Sequence, residues 1–399
     1  MQEVILFHNE LTPNKSTSMF YTARSIIHEG AKRPDTKMVV LFPSDYGDPI
    51  EYWGPEAGDC DFFKIDLDKT SNLPLGYVND SFRPLQRRSD YFVVLNQRLT
   101  SGPMLHKTLC KPFAGFFPTI VNYVTCSDLG ADEMMMHPTT IPESLLAHSL
   151  FWNIFHNERH MKRVAKAMGQ MFQPAVVRKF LQKSVAFNLG IDLGKIEGTS
   201  SLVRSDKDFV ILYGGRPSSL KRLDLVVEIC QVLFGMGVPV KLWLWLVTER
   251  VNNADAKVEA LKRMPFVEVE LNRRSEEFYA ACKSADAFIG ASKVESYGLS
   301  YVEMMYGGAV GVFMDADWVH AITPHGYPFI TKSKADAVRM LKLLWQDAKM
   351  RKEHSEALQR FILAEHDRED HAISVVDACA KLSKAIRTKQ HPKTWGDVL

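Results

Sequence analysis

Two acidic residues, Glu295 and Glu303, lie eight positions apart in the run Glu-Ser-Tyr-Gly-Leu-Ser-Tyr-Val-Glu, with a glycine between them. Residues 287–292 before this run have the composition of a short buried strand, and those after Gly298 the composition of a helix start. We therefore expect Glu295 in the loop at the carboxyl end of a strand and Glu303 about a turn into the following helix. In open α/β sheets, ligands bind at that edge.

The start of this helix is a second candidate binding feature. The backbone N–H groups of Gly298, Leu299 and Ser300 would point out of the helix N-terminus and form an anion site. Carboxylates that hold sugar or ribose hydroxyls, beside bare amides that hold phosphate, suit a nucleotide-sugar. The alternative is a surface helix with an acidic residue near its start, which is common because acids favour the first turn.

A second motif runs from Leu212 through Gly214-Gly215-Arg216 to Lys221, between a strand and a helix that begins near residue 223. The two glycines allow backbone to approach a ligand closely. An arginine suits a bidentate grip on phosphate, and a lysine acts as a point charge. Together they would neutralise a diphosphate and stabilise it as a leaving group. The motif is neither a P-loop nor a dinucleotide-binding turn.

In combination, the two motifs resemble those of the retaining GT-B glycosyltransferases, the group of glycogen synthase and bacterial mannosyl- and glucosyltransferases. That family has a Gly-Arg…Lys diphosphate site, a Glu-x7-Glu donor site about 80 residues later, and an Asn-Gly-Val-Asp-like junction that residues 188–192 resemble. The resemblance covers residues 185–385. It implies catalytic roles for Glu295, Arg216 and Lys221, with Glu295 by the donor sugar and Glu303 on the ribose. The donor-binding residues that it implies are Gly214, Gly215, Arg216, Lys221, Ser296, Tyr297, Gly298, Leu299, Ser300 and Glu303.

The first domain departs from the family pattern. The glycine turn after the first strand is replaced by residues 9–18, which lack glycine, and Lys15 is a candidate substitute. The histidine that the family often has after a middle strand is also missing, and Asp128 stands in that region. Asp128 and His137 are therefore the remaining candidates for contacts on the acceptor side.

Strand-like runs alternate with helical ones along the chain, which predicts βαβ units and parallel sheets. Two such series in 399 residues predict an α/β protein of two doubly wound, Rossmann-like domains facing each other, and the family resemblance implies that this is the GT-B fold, with a cleft between the domains. The predicted domains are residues 1–190 on the acceptor side and 191–370 on the nucleotide-sugar side. Residues 371–399 are predicted to form a helix that crosses back to the first domain, and residues 142–171 a long helical stretch.

The net charge is +2, but it is unevenly placed. Residues 156–183 contain seven Lys or Arg and one acid, and residues 381–393 contain five basic residues and no acid. Each segment is either a solvated helix face or a site for a polyanion such as nucleic acid or anionic lipid. The six cysteines are scattered and form no CxxC pair, which suits the cytoplasm. No signal peptide or membrane-spanning run is indicated.

The function that the two motifs and the family resemblance imply is transfer of a hexosyl or pentosyl group from a nucleoside-diphosphate sugar, such as a UDP-sugar, to a hydroxyl with retention. No cofactor or metal is expected, because Arg216, Lys221 and the helix N-terminus can stabilise the departing diphosphate, and we interpret the Asp-x-Asp pairs as solvated turns. The acceptor is a glycan, lipid or small molecule, or alternatively a hydroxymethylated base in DNA held through residues 156–183. The same motifs would also suit a nucleotide-sugar epimerase or a catalytically silent binding protein, although the presence of Glu295, Arg216 and Lys221 argues against the silent protein.

Overall fold

The computed structural model describes residues 2–8, 18–43, 47–65, 90–97, 109, 118–124, 140–247, 254–272, 275–295 and 297–399. Within these ranges the chain divides into two compact units. The N-terminal unit combines Met1–Leu189 with Arg368–Leu399, and the C-terminal unit is Gly190–Asp367.

The N-terminal unit is built on a parallel sheet in the order β3-β2-β1-β4-β5-β6-β7. Its runs of Val, Ile, Leu and Phe lack polar alternation because helices and loops bury both faces of a parallel sheet. Apolar clusters accordingly cover both faces of β1, β2 and β4. The strands are β1 (Glu3–His8), β2 (Thr36–Pro43), β3 (Asp61–Ile65), β4 (Tyr91–Asn96), β5 (Thr119–Val124), β6 (Trp152–Phe155) and β7 (Ser184–Ala186).

The helices of this unit correct one sequence prediction. The long helical stretch expected over residues 142–171 is not continuous, because β6 interrupts it and Asn157 caps a new helix through its side chain. A four-residue apolar run between helical patterns has no periodicity of its own to mark it as a strand. The helices are α1 (Ser18–Lys32), α2 (Pro49–Trp53), α3 (Thr140–Leu150), α4 (Glu158–Met171) and α5 (Pro174–Gln182), with a 3-10 turn at Pro55–Ala57.

Buried amides cross the sheet of this unit from β4 to β6. Asn96, Asn122 and Asn153 are register partners on adjacent strands. The side-chain amide of Asn96 donates to Asn122 at 3.2 Å, and that of Asn122 donates to Asn153 at 3.3 Å. His148 Nδ1 lies 2.9 Å from the Asn153 oxygen, which only accepts, so this nitrogen carries the proton. Burial lowers the pKa of His148 to about 4, and the imidazole is neutral.

The C-terminal unit has a parallel sheet in the order β10-β9-β8-β11-β12-β13, the same winding as in the first unit. Its strands are β8 (Phe209–Gly215), β9 (Val240–Leu246), β10 (Val267–Leu271), β11 (Ala287–Gly290), β12 (Val310–Met314) and β13 (Ile330–Thr331). Its helices are α6 (Leu193–Gly198), α7 (Leu223–Gly235), α8 (Ala254–Lys262), α9 (Ser275–Ser284), α10 (Leu299–Gly307), α11 (Lys334–Gln346) and α12 (Ala348–Glu365), with a 3-10 turn at Val319–Ala321.

The last long helix, α13 (Arg368–Arg387), belongs to the N-terminal unit and precedes a 3-10 turn at Trp395–Asp397. It packs on α1, β1 and β4, and Val375, Cys379 and Leu382 enter their core. The Ser383 hydroxyl donates to the Glu3 carboxylate at 2.8 Å, and Arg387 pairs with the same carboxylate. The prediction of an α/β fold with two doubly wound parallel sheets is confirmed.

Candidate active site

The sheet of the C-terminal unit reverses its winding between β8 and β11, which are hydrogen-bonded neighbours. The loops that leave the carboxyl ends of these two strands therefore lie side by side. The Lys293 amide donates to the Leu220 carbonyl at 2.9 Å and joins the two loops directly. A reversal of this kind opens a crevice at the carboxyl edge, where ligands bind in open α/β sheets.

The two loops bring Lys221 and Glu295 together as an ion pair. The Lys221 Nζ donates to Oε1 of Glu295, and the two side chains are 24% and 10% exposed. The ammonium also lies 5.9 Å from the centroid of the Tyr301 ring. A carboxylate and an aromatic face thus hold this positive charge in a defined place at the crevice.

Three residues that the sequence analysis missed support this pair. The Tyr301 hydroxyl lies 2.8 Å from that of Ser292, and the Tyr301 ring stacks on Trp318 at 5.0 Å. The Trp318 indole donates to the Ser292 carbonyl at 3.0 Å. Burial and the Glu295 carboxylate raise the pKa of Tyr301, which keeps the phenol neutral. Trp318 follows the motif by more than a dozen residues, so no local pattern in the sequence marks it.

Gly214 and Gly215, which precede Arg216, occupy positions that do not readily accept a larger side chain. A Cβ at Gly214 would lie 2.6 Å from the ring of Phe278, and Gly215 has a φ of 152°. The Tyr213 hydroxyl donates to the Arg216 carbonyl at 2.9 Å and fixes the turn. The Arg216 side chain is exposed, and no other described residue forms an ion pair with it. Its guanidinium is therefore available to an anion.

Helix α10 begins at this same edge of the sheet. Its N-cap, Gly298, has a φ of 97°, and no side chain among the described residues caps the helix. The carbonyl of Gly298 accepts from the amides of Tyr301 and Val302. Leu299 and Ser300 form the first turn, and their N–H groups precede the first intrahelical bond. The uncapped terminus favours an anion.

Glu303 lies in the second turn of α10 and contacts a different element. The Tyr279 hydroxyl on α9 is 3.5 Å from Oε1 of Glu303, a long hydrogen bond. Burial first, and then the Glu303 carboxylate, raise the pKa of Cys282. Glu303 is therefore partly buried against α9, whereas Glu295 pairs with Lys221.

Tyr297 anchors the loop between Glu295 and Gly298 to the end of the unit. Its buried hydroxyl is hydrogen-bonded to Nδ1 of the buried His366. The His366 carbonyl in turn accepts from the Ile191 amide at 2.9 Å. The loop is thereby tied to residues 191 and 366, close to both points where the chain passes between the units.

The other predicted site residues, Ser296, Lys15, Asp128 and His137, lie outside the described residues. In the part of the chain that the structure describes, no three His, Cys, Asp or Glu side chains are grouped as ligands for a metal ion. Nor is any helix in the described ranges long and apolar enough to cross a membrane.

No known protein family and no curated protein sequence matches the chain. Solved structures do match. The sucrose-phosphate synthase of Thermosynechococcus elongatus is 13% identical, with a TM-score of 0.71 over 96% of this chain and 100% of that one. A glycosyltransferase from Rickettsia africae is 10% identical, with a TM-score of 0.69 over 96% and 98%. Anabaena HepE in complex with UDP and glucose is 12% identical, with a TM-score of 0.65 over 94% and 98%. The chain has the GT-B fold of these enzymes.

Proposed function

We propose that this protein is a glycosyltransferase that moves a sugar from a nucleoside diphosphate to an acceptor hydroxyl, with retention of the anomeric configuration. The observation that carries the proposal is the Lys221–Glu295 pair at the strand-order reversal of the C-terminal unit. The exposed Arg216 and the uncapped start of α10 lie on the loops that leave the same edge. Cations, bare amides and a buried carboxylate together match a diphosphate joined to a sugar.

The proposed step needs no covalent protein intermediate. The bond between the anomeric carbon and the phosphate oxygen breaks, and its electron pair leaves on the diphosphate. The acceptor oxygen forms its bond to that carbon on the same face, and the acceptor proton passes to the departing phosphate oxygen. Negative charge therefore develops on the diphosphate, where preorganised positive groups stabilise the transition state.

The residues have distinct roles in this proposal. Arg216 and Lys221 neutralise the diphosphate, and the amides of Leu299 and Ser300 add the helix N-terminus. Glu295 orients Lys221 and faces the donor sugar, and Glu303 accepts from the ribose hydroxyls. These cations supply the charge that a metal ion would otherwise supply, so we propose that no metal is required. The four described cysteines are free and buried, which supports our assignment to the cytoplasm.

UDP is the nucleotide that we propose, because HepE binds it on the same fold. A second candidate function is glycosylation of a hydroxymethylated base in DNA, which would use the positive charge of helices α4 and α5. Residues 156–183, which comprise these helices and the positions that flank them, contain seven basic residues and one acid. A nucleotide-sugar epimerase would use the same donor site without an acceptor.

The test is a panel of nucleotide-sugars, scored by release of free nucleoside diphosphate with and without acceptors, hydroxymethylated DNA among them. We expect one donor to release its diphosphate and an acceptor to accelerate that release. The anomeric configuration of the product then tests retention. A change of the sugar without an acceptor would identify an epimerase, and donor binding without turnover would contradict catalysis altogether.

A further inference from the structure

Three neighbouring helices of the N-terminal unit expose large aliphatic side chains to solvent. Helix α5 packs against both α3 and α4. Leu146 and Leu150 on α3, Met171 at the end of α4 and Leu181 on α5 are between 40% and 54% exposed. They are four of the six large exposed hydrophobic residues in the described part of this unit. We call these four residues the aliphatic set.

The same helices carry a concentration of positive charge. Residues 156–183 hold seven basic residues against one acid, a net charge of +6, while the whole chain has only +2. Lys162, Lys166, Arg178 and Lys179 are exposed. The single acid, Glu158, lies 2.9 Å from Lys162 at the start of α4 and pairs with it.

The helical periodicity directs these cations away from the protein core. His160, Val164 and Met168 recur every four residues along α4 and are buried. Lys162 and Lys166 are offset from that row by about half a turn and therefore project from the opposite side. On α5, Phe180 is buried, and Arg178 lies about half a turn away from it. The cations therefore face solvent.

We propose that α3, α4 and α5 form a peripheral binding surface for an anionic lipid bilayer. Contiguous apolar surface rimmed by polar side chains marks protein or membrane contacts, and the exposed Leu146 and Leu150 are neighbours one turn apart on α3. Basic clusters are attracted to anionic headgroups, and aliphatic side chains gain by entering the acyl boundary. A bilayer satisfies both features of this surface. The proposal holds whether or not the chain transfers a sugar.

Nucleic acid would complement only the positive charge of this surface and not its exposed aliphatic side chains. Binding to single strands uses aromatic side chains on which bases stack, and duplex binding uses contacts to phosphates. Within residues 158–182, all of which the structure describes, the two aromatic residues are Phe172 and Phe180, and neither is in the exposed class. Exposed leucines next to lysines gain nothing from a phosphate backbone. The aliphatic set therefore favours the bilayer.

The experiment is vesicle co-sedimentation of the full chain at low and high salt. Vesicles contain phosphatidylglycerol mixed with phosphatidylcholine, or phosphatidylcholine alone, and duplex DNA is titrated in parallel. One variant, K166Q/R178Q/K179Q, removes cations, and a second, L146Q/L150Q, removes aliphatic side chains. Because each cation near an anionic surface contributes roughly a fivefold factor in partitioning, we expect the first variant to lose about a hundredfold. We expect the second to lose about tenfold.

Matched controls lie on other exposed surfaces. K332Q/K349Q/K352Q removes three exposed lysines, and V232Q/L343Q removes two hydrophobic side chains that are 41% and 42% exposed. Both controls should bind vesicles like the unaltered chain, and thermal unfolding checks that all four variants are folded. If only one of the two test variants folds, its loss relative to its control still decides the question.

Salt-sensitive binding to the anionic vesicles, weakened by both kinds of substitution, would support the surface. Four results would each overturn it: binding to duplex DNA but not to vesicles, binding to neither, equal binding to phosphatidylcholine alone, or losses as large in the controls. Because this readout needs no sugar donor, its failure is separate from a failure of the proposed transferase activity.

Discussion

Lys221 and Glu295 are separated by 74 residues in the sequence and form an ion pair in the folded chain. Lys221 comes from the loop after β8 and Glu295 from the loop after β11, so the pair exists only because the sheet places these strands side by side. The carboxylate holds the ammonium in place without a ligand. An incoming diphosphate would therefore meet a cation that is already oriented, at little cost in side-chain entropy.

The first prediction concerns the charge on these loops. Replacing Arg216 by Ala should lower turnover roughly 100-fold or more, the scale for loss of a preorganised stabiliser of developing charge. The fold should be unaffected because Arg216 is exposed. The measurement is the rate of nucleoside diphosphate release, and Arg263→Ala at another exposed position is the matched control. Unchanged turnover in Arg216→Ala would remove this residue from the site.

The role of Lys221 needs a different set of variants to test it. Lys221→Ala should reduce turnover by a similar factor, but it also removes the cation that pairs with the buried Glu295, which lowers stability. The double variant Lys221→Ala/Glu295→Gln should recover thermal stability without recovering turnover. Recovery of both would show that Lys221 has only a structural role.

The second prediction concerns metal ions. Activity should survive an excess of EDTA, because Arg216, Lys221 and the helix N-terminus stabilise the diphosphate in the proposed reaction. Product release is the step that chelation would slow. The measurement is turnover before and after chelation, with Mg²⁺ or Mn²⁺ added back. Complete loss of activity that either ion restores would refute the metal-independent mechanism.

The third prediction concerns the start of α10. Gly298→Ala should cost about 1–2 kcal/mol in unfolding free energy, because a side chain is unfavourable at a φ of 97°. The new Cβ would also lie 3.2 Å from the Tyr301 ring, so donor affinity should fall. Gly235→Ala, where a Cβ meets nothing within 4 Å, is the control and should be neutral or slightly stabilising. Equal effects in the two variants would argue against a strained helix start.

The fourth prediction concerns acid stability of the N-terminal unit. Burial lowers the pKa of His148 and of His371 from 6.5 to about 4 in each case. Between pH 6.5 and 4 these two histidines bind more protons in the unfolded chain, so their contribution to stability falls as pH falls through this window and is constant above it. Each histidine should contribute on the order of 3 kcal/mol to that loss.

The measurement for this prediction is the urea concentration at the midpoint of unfolding, determined as a function of pH. His371→Gln removes one of the two groups, together with hydrogen bonds to Tyr123 and Asn188. The variant should be less stable at neutral pH but lose less stability between pH 6.5 and 4. A slope as steep as that of the unaltered chain would exclude His371 as a source of the acid sensitivity.

The fold class was readable from the sequence because strands buried on both faces appear as apolar runs, and helices separate those runs. The prediction of a long helical stretch over residues 142–171 misses β6 (Trp152–Phe155), which has only four residues between two helices. Asn157 was a local signal of the new helix, since its side chain accepts from the His160 amide. Residue type alone does not distinguish such a cap from a polar residue within a longer helix.

The site was partly predictable for a similar reason. Loops that follow strands are visible in the sequence, and they include Arg216, Lys221 and Glu295. The residues that stabilise these loops are not evident from the sequence, because Trp318 and His366 contact the loops from distant positions in the chain. The pairing of Lys221 with Glu295 depends on strand order, which no local pattern encodes. On the acceptor side, Lys15, Asp128 and His137 remain predictions.

The position of α13 has a consequence for biosynthesis. The N-terminal unit needs this helix in its core, yet the helix follows the whole C-terminal unit in the chain. At ribosomal rates of about 5–20 residues per second, the intervening residues delay its arrival by roughly ten to thirty-five seconds. The C-terminal unit is continuous and can finish folding first, while residues 1–189 wait with an apolar face uncovered. The unit of the protein that is translated first is thus the last to be completed.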